Sequence, residues 1–107
     1  MSKSEVKKII QKYAEVLKKH RFVYKSIYLF GSYAIGKANK ESDIDVAVII
    51  GRSPRNRQFL DKEMRLWELA PQADTRIEPI LLEEKDIQEE TASIMGYEVL
   101  KHGILVV

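Results

Sequence analysis

The sequence predicts a small α/β (α+β) domain, with three to four strands flanked by about four helices in the order α-β-α-β-α-β-α and a short last strand. Three observations lead there. Apolar residues recur at spacings of three and four in separate stretches, the mark of amphipathic helices. Short runs rich in β-branched residues lie between them and end at glycine. The chain has 107 residues, 45% hydrophobic and 32% charged, which suits one globular domain over 1–107 and excludes a disordered chain.

Val6, Ile9, Ile10, Tyr13 and Leu17 line one face of the first helix, and Ser2 and Glu5 are spaced as a capping box. Its Lys-rich face (Lys3, Lys7, Lys8, Lys18, Lys19) reads as solvated. Ser26–Phe30 is a short apolar strand buried on both faces, ending at Gly31. A small, turn-prone segment from Gly31 to Gly36 follows, then a strand from Ile44 to Ile50 closed by Gly51. Ser53-Pro54 suggests an N-cap with proline at the first helical position, and Pro71 stops that helix after Ala70. Phe59, Glu63, Leu66, Trp67 and Ala70 form its expected inner face, with Trp67 a core anchor and not a base-stacking platform. Thr75–Leu82 is a third strand, and Pro79 places it at an edge or marks a lapse in pairing. Asp86 and Glu89 are spaced to cap a last helix running towards His102, with Gly103 as its C′ residue. Ile104–Val107 supplies the short last strand.

The 18 Lys+Arg and 16 Asp+Glu leave a net charge of +2, no footing for bulk nucleic-acid or membrane binding. Cysteine is absent, which excludes disulfides, thiolate catalysis and Cys-based zinc sites. No apolar stretch is long enough to span a membrane, and the N-terminus enters helical pattern without an apolar signal core. A cytoplasmic location is expected.

The chemistry is carried by acids in apolar strands. Asp43 and Asp45 flank Ile44. Alternation along a strand points both carboxylates the same way, roughly 6.5–7 Å apart. Two like charges on one face invite a hard divalent cation, and oxygen-only ligation points to Mg²⁺ or Mn²⁺. Alone, the pair also reads as a solvated strand start with ordinary surface acids. Glu78 stands in mid-strand, sharing a face with Arg76 and Ile80. It would supply a third carboxylate, or else be an exposed edge-strand acid. Gly31-Ser32 closes the first strand, where a glycine turn exposes consecutive N–H groups to phosphate and Ser32 adds a hydroxyl. Taken singly these signals are weak. Jointly, Gly31-Ser32, ten residues, then Asp43-x-Asp45 would arise by chance in a chain this long on the order of 0.1% of the time.

At these residues the chain resembles the nucleotidyltransferases of the DNA polymerase β superfamily, most of all the small stand-alone minimal nucleotidyltransferases (MNT). The likeness is closest in Leu29-Phe-Gly-Ser-Tyr-Ala34 and Ser42-Asp-Ile-Asp-Val46, and Ile77-Glu-Pro-Ile80 sits where the family places its third carboxylate. It covers about Phe22 to Val107; the first helix fits by order only. The resemblance implies a mixed sheet flanked by helices, two Mg²⁺ ions and a nucleoside triphosphate such as ATP. Gly31 and Ser32 would hold the triphosphate, Asp43 and Asp45 would bridge both metals, and Glu78 would hold the catalytic one. A nucleoside monophosphate, AMP, would pass to a hydroxyl as pyrophosphate leaves.

Two departures stand out. Ile35 occupies a position where the family often has a basic residue, which Lys37, Lys40 or Arg76 could replace. Glutamate stands at 78 where aspartate is common. Three functional readings follow. One is AMP transfer to a tyrosine of a HEPN-type toxin, with this chain as antitoxin. Another is a binding module that docks on such a partner with weak or absent chemistry. The third is transfer to a small molecule, against which a chain this short leaves little room for an acceptor domain. His20 and His102 read as helix-end residues, and the tyrosines as packing residues apart from Tyr33 beside the Gly31-Ser32 turn.

Overall fold

Ser2 and Glu5 cap each other in the computed structural model, which describes all residues 1–107. Ser2 Oγ accepts from the Glu5 amide at 3.1 Å, and the Glu5 carboxylate accepts from the Ser2 amide at 3.4 Å. They open α1 (Lys3–Lys19), whose buried face is Val6, Ile10, Tyr13, Ala14 and Leu17. Lys18 and Lys19 meet the negative end of its dipole. The chain turns back at Arg21, the one non-glycine residue with positive φ (58°).

Four strands form one sheet in the order β3-β2-β1-β4. β1 (Ser26–Phe30) runs antiparallel to both β2 (Ile44–Ile50) and the short β4 (Ile104–Leu105). β2 and β3 (Ile77–Glu83) are parallel, and α2 (Arg57–Leu69) makes the crossover that parallel strands need. The sheet is therefore mixed, and Pro79 lies on its edge strand. Alternation sorts the side chains. Ile44, Val46, Val48 and Ile50 enter the large core with α1 and α2. Ala47, Ile49 and Leu82 join Phe30 and Val99 of α3 (Ile94–His102) in a smaller core on the other face. Tyr13, fully buried, donates its hydroxyl to the Leu66 carbonyl at 2.8 Å and ties α1 to α2. No helix is long and apolar enough to cross a membrane.

The fold class stands, with corrections in detail. There are three α-helices, because Gly31–Gly36 is a chain of turns and not a helix. α2 starts later than Ser53-Pro54 suggests, since Asn56 is the cap: its Oδ1 accepts from the Gln58 and Phe59 amides at 3.0 and 3.3 Å. Asp86 does not open the last helix. Its carboxylate accepts from the Glu83 amide at 2.8 Å and closes a 3-10 turn over Glu84–Ile87, while Ser93 caps α3. Trp67 is 52% exposed and no core anchor, because α2 turns Phe59, Leu66 and Leu69 inward. Gly103 has φ −70° and no left-handed turn; what it needs is space, since a Cβ there would strike the Val99 carbonyl.

Candidate active site

Asp45 sits where three strands meet. On β2 it lies opposite Phe30, the last residue of β1, and beside Glu78 of β3 in the parallel register. The smaller core reaches Asp45 at Phe30 and continues from Ala47 and Ile80, so Asp45 lies at the rim of that core. Asp43 precedes β2 by one residue and is exposed, as is Glu78; Asp45 is half-buried.

The register brings the three sequence-predicted carboxylates together. Burial first, and then the charge of Asp43, push the Asp45 carboxyl above its usual range; a hydrogen bond with Glu78 pulls the other way. Glu78 is raised by desolvation, by the charges of Asp43 and Asp45, and by hydrogen bonds with both. The three do not converge as a finished metal cage. Their chemistry still suits a hard divalent cation: the donors are all oxygen, and none of them is in an ion pair.

The Gly31-Ser32 turn meets this cluster directly. Gly31 has φ +73°, a left-handed conformation that glycine adopts without strain. A Cβ there would collide with the Asp45 carboxylate, lying 2.9 Å from its Cγ. The Gly31 carbonyl accepts from the Ala34 amide at 3.0 Å, and the Ser32 carbonyl from Lys37 at 2.9 Å. The amides of Gly31, Ser32 and Tyr33 are spent on no protein acceptor, which leaves three donors at the turn. Such a nest suits the oxygens of a phosphate.

The supporting residues are mostly local. Tyr33 is buried and its hydroxyl reaches the Asn39 carbonyl at 3.4 Å. Asn39 and Ser42 fold the approach to Asp43: the Asn39 amide donates to Ser42 Oγ at 2.8 Å, and the Glu41 amide to Asn39 Oδ1 at 2.8 Å. Sequence reading passed over this pair, although Asn-x-x-Ser before a strand is a turn signal. Arg76 is not a free substitute for the missing base at Ile35. Asp74 holds its guanidinium through two hydrogen bonds, 2.9 and 2.8 Å, and the Asp74 carboxyl is itself lowered from its usual value, chiefly by the Arg76 hydrogen bond. Lys37 and Lys40 are exposed in the loop before Asp43, without ion pairs, and Ile35 is 46% exposed. The larger surface hollows run along α2, along α1 and beside Glu83, away from the carboxylates.

A family model described as a nucleotidyltransferase domain matches residues 6–104. Two relatives are candidate protein adenylyltransferases of Methanocaldococcus jannaschii. One is 51% identical over 45 residues, which is 42% of this chain and 44% of that protein. The other is 38% identical over 66 residues, 62% of this chain and 66% of that protein. The matches thus span from under half to just under two thirds of these relatives' length. Among solved structures, a candidate nucleotidyltransferase of Sulfolobus solfataricus has a TM-score of 0.65 at 17% identity, over 96% of this chain and 80% of that one. A toxin–antitoxin complex with AMP-PNP matches at TM-score 0.58 and 26% identity, over 91% of this chain and 71% of that one. An MNT antitoxin, solved in complex with a tri-AMPylated HEPN toxin of Shewanella oneidensis, matches at TM-score 0.53 and 22% identity, over 98% and 71%. The first and third likenesses carry the fold alone.

Proposed function

Because this chain belongs to the nucleotidyltransferase domain family, we propose that it transfers AMP from ATP to a hydroxyl acceptor, and that the acceptor is a tyrosine of a HEPN-type toxin which the transfer neutralises. One observation carries the reading: the Asp45–Glu78 register, with Gly31 packed against Asp45, puts three carboxylates beside a turn with free amides. The relatives named as adenylyltransferases support AMP as the group, and the neighbours solved as toxin–antitoxin complexes support the partner.

In this reading the amides at Gly31–Tyr33 and the Ser32 hydroxyl bind the triphosphate oxygens. Asp43, Asp45 and Glu78 would hold divalent cations, Mg²⁺ or Mn²⁺. When bound, two such ions would neutralise charge on the attacking and departing oxygens. The acceptor oxygen forms a bond to the α-phosphorus, and the bond from that phosphorus to the bridging oxygen breaks, so that pyrophosphate departs. Glu78, on the edge strand and exposed, is open to an incoming hydroxyl and in this reading receives its proton.

ATP labelled at the α-phosphate tests the proposal against a HEPN-type protein encoded beside this chain. The label should move to the partner and, after proteolysis, to a tyrosine, whereas label at the γ-phosphate should stay in pyrophosphate. A partner that binds tightly and takes no label would leave a docking antitoxin and no transferase.

A further inference from the structure

The outer face of α2 carries a feature that the nucleotide site does not use. Leu60, Met64 and Trp67 are 60%, 61% and 52% exposed and follow one another at spacings of four and three, so they form one continuous apolar stripe. Glu63 borders it on one side, Asp61 and Glu68 on the other, and none of the three makes an ion pair. The stripe, Glu63 and Glu68 line a groove of about 510 Å³. Most basic groups of the helix are turned away: Arg65 donates to the His20 carbonyl at 2.8 Å, and Lys62 lies half-buried towards the core side. Arg55 and Arg57 line an adjoining hollow at the N-terminal end, which shares Leu60, Glu63 and Met64 with the groove. The chain as a whole carries more basic than acidic groups, so this acid-rimmed stripe runs against its balance.

We propose that the Leu60–Met64–Trp67 stripe docks an amphipathic helix of a partner protein whose apolar face is bordered by lysine or arginine. Apolar anchors at such spacings fill the face of a facing helix, and Trp67 is the large aromatic that dominates such contacts. The acid rim selects the sign of the border: basic side chains would neutralise Asp61, Glu63 and Glu68, whereas a second copy would set acid against acid. α2 packs on the sheet face opposite the carboxylates, so an occupant leaves Gly31 and Asp45 open. The proposal does not rest on AMP transfer.

Trp67 is the only tryptophan, so its emission reports the stripe directly. The probe is a short helix-forming peptide with leucines at spacings of three and four, bordered either by lysine or by glutamate. The lysine-bordered peptide should shift Trp67 emission to the blue in a saturable way, and the glutamate-bordered one should bind about tenfold more weakly at low salt. Met64→Glu and Leu60→Glu should abolish the shift with helix content unchanged, because both residues are exposed. Titration with ATP and Mg²⁺ should be the same with and without peptide. Equal binding of the two peptides, or no shift with either, would overturn the proposal. So would a blue shift on raising the protein concentration alone, with sedimentation at twice the monomer mass, which would assign the stripe to a second copy.

Discussion

Gly31 and Asp45 share a space that only one of them can fill: the Asp45 carboxylate lies where a side chain at position 31 would begin. The turn and the acid are therefore one unit. Gly31→Val meets both that collision and a φ of +73°, which costs a non-glycine residue about 1–2 kcal/mol. It should lower the melting temperature and weaken ATP–Mg²⁺ binding about tenfold or more. Ser32→Ala removes one hydroxyl and keeps the backbone, so a loss of only a few-fold is expected. Calorimetric titration ranks the two, and the reverse order would make the hydroxyl the main hold.

Asp43 and Asp45 repel each other, and Asp45 bears the larger desolvation. Asp45→Asn removes a half-buried charge and should keep or slightly raise stability, while transfer falls by about a hundredfold or more. Asp43→Asn should cost transfer similarly with little change in melting. Full transfer by both purified variants would remove these carboxylates from the mechanism.

The strand from Ile44 and the Gly31-Ser32…Asp43-x-Asp45 spacing were legible because their signals are local: β-branched residues, a glycine and two acids at fixed offsets. Four features were not. Asp86 looks like a helix cap, yet the Glu83 amide and the Arg55 guanidinium, 31 residues away, recruit its carboxylate. Ser53-Pro54 and Asn56 are both good caps, and only the side-chain bonds of Asn56 decide. α2 is apolar on two faces, so period alone cannot tell Phe59, Leu66 and Leu69 from Leu60, Met64 and Trp67. The Asp45–Glu78 contact needs a parallel register across the α2 crossover, and no local pattern encodes that.

Arg55 reaches two buried acids, Asp86 at 3.2 Å and Glu83 at 3.5 Å, and stacks 4.1 Å from the Phe59 ring. Arg55→Leu leaves both carboxylates without a cation. Since the Arg55 side chain is itself half exposed, the expected loss is about 2 kcal/mol, below that for a wholly buried pair. Urea denaturation measures it. These residues lie at the far end of β2 and β3, so ATP affinity should not change.

Asp74 and Arg76 give the pH dependence a definite sign. The folded-state pKa of Asp74 lies below its usual value, first through the Arg76 hydrogen bond. The folded state therefore binds this proton less well than the unfolded one. The stabilisation is fully present above about pH 4 and is lost as pH falls through the folded pKa. Asp74→Asn should be less stable than the wild type at pH 6, and the gap should close in acid. A gap that persists at pH 2 would mean that the contact acts by shape and not by charge.

Glu78 separates catalysis from binding. It is the most exposed strand position of the acid cluster, on an edge strand, and the charges of Asp43 and Asp45 help to raise its carboxyl above the usual range. Glu78→Gln keeps the size and removes both the charge and the proton acceptor. Asp43, Asp45 and the Gly31 turn remain, so ATP binding should stay within a few-fold. Transfer should fall steeply, and the loss should persist at saturating ATP as a lower kcat without a raised KM. Glu78→Asp should recover part of the rate if the cluster can close by one methylene; Asp45 beside it and Gly31 against Asp45 limit how far it can move. Asp74, the next acid along the chain, cannot stand in, because Arg76 holds both of its oxygens. A Glu78→Gln variant that labels its partner at the wild-type rate would therefore leave the reaction with Asp43 and Asp45 alone.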